Sequence, residues 1–305
     1  MAGYVPSDAM FIDLLSHFRL QFFIGALLGT LLSLAFFFKS SQGRWISGLC
    51  LSATLMNGWA LLPYVPNKEA QINLGSSFKV TVANVDKSNR NYEAIWAFVR
   101  EENPDLLVVI EANDYLVEAL QPLRSTYAYA IVVPSNTRPG MIVLSRSPLE
   151  EVNISEPYPG EVTPTIFFKW QHKGQLYPIA AIHANWPLSF EQIRLRNLSL
   201  DSIAAWVKAQ SLPAFVVGDL NMTPFTTTFD RFLEESGLTN TRQGWGYLPT
   251  WGLLSPWSLR LPIDHILASP DIQVMKAKVG PDIGSDHCPL VMEFRTQEQQ
   301  QSSSY

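Results

Sequence analysis

Charge and cysteine are scarce in this sequence, and each scarcity closes off a class of protein. Asp, Glu, Lys and Arg make up 16% of the 305 residues and apolar residues 47%, where an ordinary globular chain is about 25% charged. There are two cysteines, Cys50 inside an apolar run and Cys288 far from it. Neither a disulfide framework nor a CxxC metal site can be built from them, and both read as buried free thiols. Any metal must be held by oxygen and imidazole ligands. An excess of positive charge is missing too. Three of the 22 basic and two of the 27 acidic residues fall within residues 1–65, so the rest of the chain is acidic. That balance disfavours unspecific attachment to nucleic acid through a basic surface, although bound cations and a local basic cleft can reverse the field at a site.

The charge deficit is concentrated in two long apolar runs. Leu20 to Phe38 carries no charge over 19 residues and is bracketed by Arg19 and Lys39; Trp45 to Val65 carries none over 21 and is bracketed by Arg44 and Lys68. At 1.5 Å per residue, roughly 20 helical residues cross the ~30 Å hydrocarbon core, so both runs are long enough. A cleaved signal peptide fits the first run poorly: two acids and one arginine precede it, and no small-residue cleavage site stands out. The short link from Lys39 to Arg44 predicts an antiparallel hairpin. Gly25-xxx-Gly29 and Gly48-xxx-Ser52 would let its helices pack closely, and Asn57 is expected to face the partner helix. Two basic residues in the link favour the cytoplasmic side for it, which places the remainder of this multi-pass membrane protein outside the cytoplasm.

Pro63 to Ser77 has the composition of a linker. Beyond it, short apolar strands alternate with helical stretches. Strands are expected over 78–85, 106–110, 128–133, 141–145, 166–170, 179–183, 214–218, 263–268, 272–279 and 290–294, and helices over 92–102, 190–210 and 226–236. Ten strands and few helices suggest paired sheets covered by helices. The chain thus divides into an N-terminal segment (1–19), two transmembrane helices (20–65), a linker (66–77), a soluble domain (78–295) and a tail (296–305) whose Gln and Ser predict disorder.

The informative feature is where polar residues fall. Apolar strands run directly into Asn84 and Asp86, into Glu111, into His183, and into Asp219 with Asn221; Asp264-His265 follows Ile263, and Ser285-Asp286-His287 precedes the last strand. Any one of these is most simply a loop residue, a helix cap or a satisfied core pair. Six in one chain project acids, amides and imidazoles to one rim, where buried charge must be paired or coordinate metal.

The stretches Val-Ala-Asn84-Val-Asp86, Val-Ile-Glu111-Ala-Asn113, Ile-His183-Ala-Asn-Trp-Pro, Val-Gly-Asp219-Leu-Asn221, Ile-Asp264-His265-Ile-Leu and Gly-Ser-Asp286-His287-Cys-Pro-Leu, in this order, resemble the endonuclease/exonuclease/phosphatase superfamily. Gly140 to Ser145, followed by Arg146-Ser-Pro, also resembles a strand of that family. The likeness covers about residues 78–295. It departs from the family's commonest form at Ile110, where a glutamine usually precedes the glutamate, and it supplies no glutamate partner for His183.

The resemblance implies a deoxyribonuclease I-like, four-layer α-β-β-α sandwich behind the transmembrane hairpin. It implies a Mg²⁺-dependent (or Mn²⁺-dependent) phosphoester hydrolase, with Glu111 as the direct metal ligand and Asn84, Asp86 and Asp286 near the ion or its water shell. Asp219 would orient or deprotonate the attacking water and Asn221 would hold the phosphate or that water. His287, oriented by Asp264, would contact the scissile phosphate, and His183 would face the leaving group. Lipid, small phosphoester and nucleic acid all remain open as substrate. The expected partners are the lipid bilayer and that phosphoester; nothing calls for an obligate protein partner. The alternative is a non-catalytic, membrane-tethered binding module on the same fold. Against it, every expected position carries a competent side chain. His265 reads as structural, because it points to the opposite side of its strand from Asp264. His17 and His172 read as surface or interface residues; Arg194, Arg196 and Arg260 could hold phosphate but read first as solvated or salt-bridged. Trp186, Trp245, Trp251 and Trp257, in loops near the site strands, could stack on a base, meet lipid tails or simply pack.

Overall fold

Period-two alternation in the strands decides the architecture. A computed structural model describes residues 14–68, 77–133, 139–161, 163–253 and 255–296. Strands β1 (Phe78–Asn84), β2 (Leu106–Ala112), β3 (Tyr129–Val133) and β4 (Gly140–Ser145) join β10 (Ile272–Val279) and β11 (Leu290–Thr296) in a six-stranded sheet of order β10-β11-β1-β2-β4-β3. Strands β5 (Leu149–Ile154), β6 (Ile166–His172), β7 (Gln175–His183), β8 (Phe215–Asp219) and β9 (Asp264–Ala268) form the second sheet in sequence order.

Alternate residues of each strand fill the space between the sheets: Val80 and Val82 from β1, Ile179 and Ala181 from β7, Phe215 and Val217 from β8, Ile266 and Ala268 from β9. The intervening residues face outward and are covered by helices. On one side α3 (Tyr92–Glu102) lays Ile95, Phe98 and Val99 over Ala83, Leu107 and Val109. On the other, α5 (Phe190–Lys208) and α6 (Thr227–Ser236) cover Ala180, Ile182 and Val216. Three apolar clusters separated by two sheets make the four layers of the expected sandwich. One end of the inter-sheet core is closed by rings around Phe78, with Tyr177 and Trp170 at 5.2 and 5.4 Å; such pairs add to the area they bury.

The expected strands are present within a few residues of their forecast ends. Two elements were not foreseen. Strand β5 pairs only with β6, at the sheet edge, and its exposed Glu150 and Glu151 hide its pattern; charge on an edge strand also blocks pairing with another chain. Short helix α4 (Asp114–Ala119) is capped by the Asn113 side chain.

Before the sandwich come α1 (Arg19–Leu32), a π-helical turn (Ser33–Phe37) and α2 (Ser41–Leu61). Both helical stretches are long and apolar enough to cross a membrane, at 19 and 24 residues including their end turns. They pair with each other. Arg19 Nη1 donates to Asn57 Oδ1 at 3.2 Å, and the Thr30 and Thr54 hydroxyls meet at 3.3 Å. Of the small residues singled out, only Gly29 marks a close approach: a Cβ there would lie 3.1 Å from Cys50 Sγ, whereas Gly25 and Gly48 meet nothing. Leu31, Phe36, Trp45 and Trp59 face outward. The start of the expected linker is docked, since the Asn67 and Lys68 N–H groups both donate to Gly244 O. Residues 69–76 of the linker lie outside the described residues, as do residues 1–13 and all of the expected tail except Thr296, which ends β11.

Gly218 is the tightest point between β7 and β8. A Cβ built on it would sit 1.8 Å from Ile182 O. We expect Gly218→Ala to lower stability by about 1–3 kcal/mol or more, as overpacking does, visible as a fall in the midpoint of chemical unfolding. An unchanged midpoint would refute the reading.

Candidate active site

The same alternation that fills the core carries polar side chains to its rim. Asn84 follows Val80 and Val82 in phase, His183 follows Ile179 and Ala181, Asp219 follows Phe215 and Val217, and Asp264 precedes Ile266 and Ala268. All four point into the space between the sheets where it opens. Strand register places three of them in one row, with His183 opposite Asp219 and Asp219 opposite Asp264. His265 is out of phase. It packs its ring 4.9 Å from Phe229 and bonds Met222 O at 2.9 Å.

Glu111 breaks the phase, and the backbone is bent to correct it. Leu106, Val108 and Ile110 face the core, so an undistorted strand would send Glu111 to the helix side. Instead the register shifts between Ile110 and Ala112 and Glu111 takes φ 59°, in the left-handed region. Its carboxylate accepts from Asn84 Nδ2 at 3.0 Å. Asp86 (φ 56°) and Asn221 (φ 48°) are strained in the same way. Such conformations cost roughly 1–3 kcal/mol each and collect at functional sites.

Asp219 is buried, and its two oxygens differ. Oδ1 accepts the Asn221 N–H at 2.8 Å, while Oδ2 lies 3.4 Å from Asn84 Nδ2 and 3.9 Å from His287 Nε2. His287 Nδ1 bonds Asp264 Oδ2 at 2.8 Å. Burial, then the neighbouring Asp264, holds the Asp219 carboxyl well above the usual carboxylate range, which makes it the stronger base. Burial alone would push the His287 imidazole down. The charge and hydrogen bond of Asp264, aided by Asp219 and Asp286, override it and raise the imidazole to about 9. Burial likewise raises Asp264, but His287 draws it below its ordinary value. The directly bonded Asp264 is therefore the partner of the protonated imidazole, and Asp219 is not.

His183 Nε2 lies 3.7 Å from Glu111 Oε1, too far for a hydrogen bond. Burial, followed by the repulsion of His287, lowers the His183 imidazole to about 3, and neither ring nitrogen has a hydrogen-bond partner among the described residues. Asn221 Nδ2 donates to Ala184 O at 2.8 Å, tying the two loops together. Asp286 is exposed and accepts from Trp251 Nε1 at 3.0 Å.

These groups surround a cleft of about 430 Å³ lined by Asp86, Glu111, Asn221, Asp286 and His287. Asp219, Asp264 and His287 offer ligand atoms within 4.8 Å of one another, the group of that kind found among the described residues. The hydrogen bond between Asp264 and His287 gives that trio to proton handling. A divalent cation is better suited by Glu111, with cleft-lining Asp86 and Asp286, a hard-oxygen set. Asn84 turns its amide nitrogen to Glu111 and its oxygen to the Asp86 N–H, so it holds the carboxylate in place. The strained Glu111, facing an unbonded buried imidazole, fits a position left for an ion and a phosphate oxygen.

Some supporting residues carried no local signal. Arg242, fully buried, donates to Asp264 O and Leu248 O. Thr250 Oγ1 accepts the Asp264 N–H at 3.2 Å. Of the residues expected at a surface or interface, His17 is buried at the contact between the N-terminal segment and the Asn221 loop and His172 is buried in the domain; Arg196 is buried too. Arg194 pairs with Glu191 on the surface, and Arg260 holds Leu253 O and Ser255 O.

The sequence profile of the Endonuclease/Exonuclease/phosphatase family matches residues 70–287. The chain belongs to this family. Solved structures agree on the fold. An endonuclease/exonuclease/phosphatase from Beutenbergia cavernae DSM 12333 is 19% identical, with a TM-score of 0.60 over 73% of this chain and 72% of that one. A family protein from Bacteroides thetaiotaomicron is 18% identical, with a TM-score of 0.61 over 73% and 98%. D. rerio TDP2, complexed with single strand DNA product, is 16% identical, with a TM-score of 0.60 over 73% and 100%. No curated protein matches the chain in sequence. The family is one of phosphoester hydrolases.

The raised imidazole gives a pH prediction. The folded value of about 9 for His287 lies above an unfolded value of about 6.5. The stabilisation from the charged pair is therefore complete below about pH 6.5 and is lost as pH rises through about 9. In chelator-treated protein, NMR should find one imidazole titrating near 9, and Asp264→Asn should bring it down. A titration unmoved by Asp264→Asn would show that the pair is not its cause.

Proposed function

We propose that this chain is a membrane-anchored, Mg²⁺-dependent hydrolase of phosphoester bonds. The observation that carries the reading is that Glu111 and His287, from the first sheet's side, line one cleft while the buried Asp219 of the second sheet lies 3.4 Å from Asn84 and 3.9 Å from His287. In-line hydrolysis needs a base for water, positive charge at the phosphoryl oxygens and a proton for the departing oxygen. Asp219 supplies the base: the Asn221 N–H fixes Oδ1, and Oδ2 lies 3.9 Å from Nε2 of the cleft-lining His287. His287, held protonated by Asp264, places positive charge at the scissile phosphate. His183, buried and neutral, faces the departing group. Glu111, with Asp86 and Asp286, would hold the cation, which neutralises phosphoryl charge as a Lewis acid.

Membrane anchoring is supported by the exposure of the two apolar helices. A core helix of a soluble protein would be mostly buried, whereas 11% and 17% of these spans are. So much contiguous apolar surface needs a cover, and a bilayer provides one. The two basic residues of the link favour the cytoplasm for it, leaving the catalytic domain on the extracytoplasmic side. D. rerio TDP2, a structural neighbour, was solved with a single strand DNA product; for this chain nucleic acid, lipid and small phosphoester are the substrates to be tested.

The purified full chain in detergent is expected to hydrolyse bis(p-nitrophenyl) phosphate with Mg²⁺ or Mn²⁺ and to stop on addition of EDTA. Asp219→Asn should lower turnover by about 100- to 10,000-fold, the range for loss of a general base, with the circular dichroism spectrum unchanged. Wild-type turnover in that variant sinks the assignment. Absence of metal-dependent hydrolysis of any phosphoester would favour a binding module.

A further inference from the structure

The segment leading into α1 forms part of the catalytic cleft. Leu14, His17 and Phe18 line it together with Glu111 and His287. His17 Nδ1 accepts the Thr223 N–H at 3.1 Å, two residues beyond Asn221, which ties this segment to the loop bearing Asp219 and Asn221. The hairpin is fixed to the same end of the domain. Gln21 Nε2 donates to Ser258 O at 2.7 Å, Asn240 Nδ2 donates to the Tyr64 hydroxyl at 2.8 Å, and the Tyr64 ring lies 5.2 Å from Phe225.

Two chemistries meet in the cleft. Carboxylates, Asn221 and His287 occupy the reacting end, and much of the remaining wall is apolar, with Leu14, Phe18, Leu188 and Ile263 beside Trp186 and Trp251. Among the described residues that line it there is no lysine or arginine. A polynucleotide carries a phosphate on every residue and is gripped by basic side chains well beyond the bond being cut. This cleft provides for one phosphate and offers hydrocarbon contact elsewhere.

Its apolar wall is also continuous with the hairpin. Phe18 immediately precedes α1, and Phe22, one turn on, faces outward. Trp257 and Leu259 are exposed on the turn that α1 packs against, and Leu188 is 63% exposed beside the cleft. Tryptophan at this level is what a bilayer interface favours.

We infer that the cleft takes a membrane phospholipid, with its phosphodiester at Glu111, Asp219 and His287 and its hydrocarbon along Leu14, Phe18 and Leu188. The inference rests on the phosphoester-hydrolase reading above. Water oxygen bonds to phosphorus as one P–O ester bond breaks. The proton that water gives up goes to Asp219 and from there to solvent, and the departing alkoxide takes a proton from solvent water, so the products are a phosphomonoester and an alcohol. The apolar wall selects the amphiphile, and the polar end cleaves it.

The test compares two substrates for the full chain in detergent: bis(p-nitrophenyl) phosphate in solution, and vesicles of phosphatidylcholine, phosphatidylethanolamine, phosphatidylglycerol and sphingomyelin. Wild type should cleave at least one of the four lipids, with release followed by mass spectrometry. In Phe18→Ser, and independently in the exposed-loop variant Leu188→Ser, the ratio of lipid to soluble turnover should fall about tenfold or more, as expected for lost contact in an apolar pocket. Phe18→Leu should restore it. An unchanged ratio in Leu188→Ser overturns the inference, as does a wild type that cleaves the soluble diester or an oligonucleotide but none of the lipids. If wild type cleaves no phosphoester at all, the hydrolase reading itself fails and takes this inference with it.

Discussion

Buried carboxylates set the terms for the rest of this structure. Strand register puts Asp219 beside Asp264 at the mouth of the core, where water cannot screen them. Leaving such charge unpaired costs several kcal/mol. The compensation comes from the other sheet: His287, just ahead of β11, bonds Asp264, and Asn84, at the end of β1, reaches Asp219. One sheet therefore carries the acids and the other the groups that make them tolerable. The candidate catalytic arrangement and the electrostatic repair are the same set of contacts.

Much of this could be read from the chain before any coordinates. Apolar strands that run into Asn84, His183, Asp219 and Asp264 marked one rim, and the order of the motifs gave the family resemblance; only His265 was set apart by its side of the strand. Glu111 was identified through the family resemblance, while parity alone would have placed it on the wrong face, because a bulge and a left-handed backbone are not written in an alternation pattern. Strand β5 escaped notice because an edge strand with exposed acids lacks an apolar face.

Two of the contacts that went unread share one property, which is distance along the chain. His17 meets Thr223 across 206 residues, and Asn240 meets Tyr64 across 176. No local periodicity or spacing reports such a pair. A histidine in a short, unremarkable segment before an apolar run looks like surface, and only tertiary packing makes it part of a cleft. Arg242 differs, since its guanidinium supports the Asp264 main chain only 22 residues on, yet no pattern in the sequence marks that contact.

The polar seam across the two sheets has a mechanical consequence. The apolar interior is held by many interchangeable contacts and closed at its far end by the rings around Phe78. The seam depends on a few directional bonds at the opposite end. A slip of one sheet over the other by a single side-chain spacing would part Asn84 from Asp219. The polar contacts of the candidate site thus depend on the alignment of the sandwich more finely than its cohesion does.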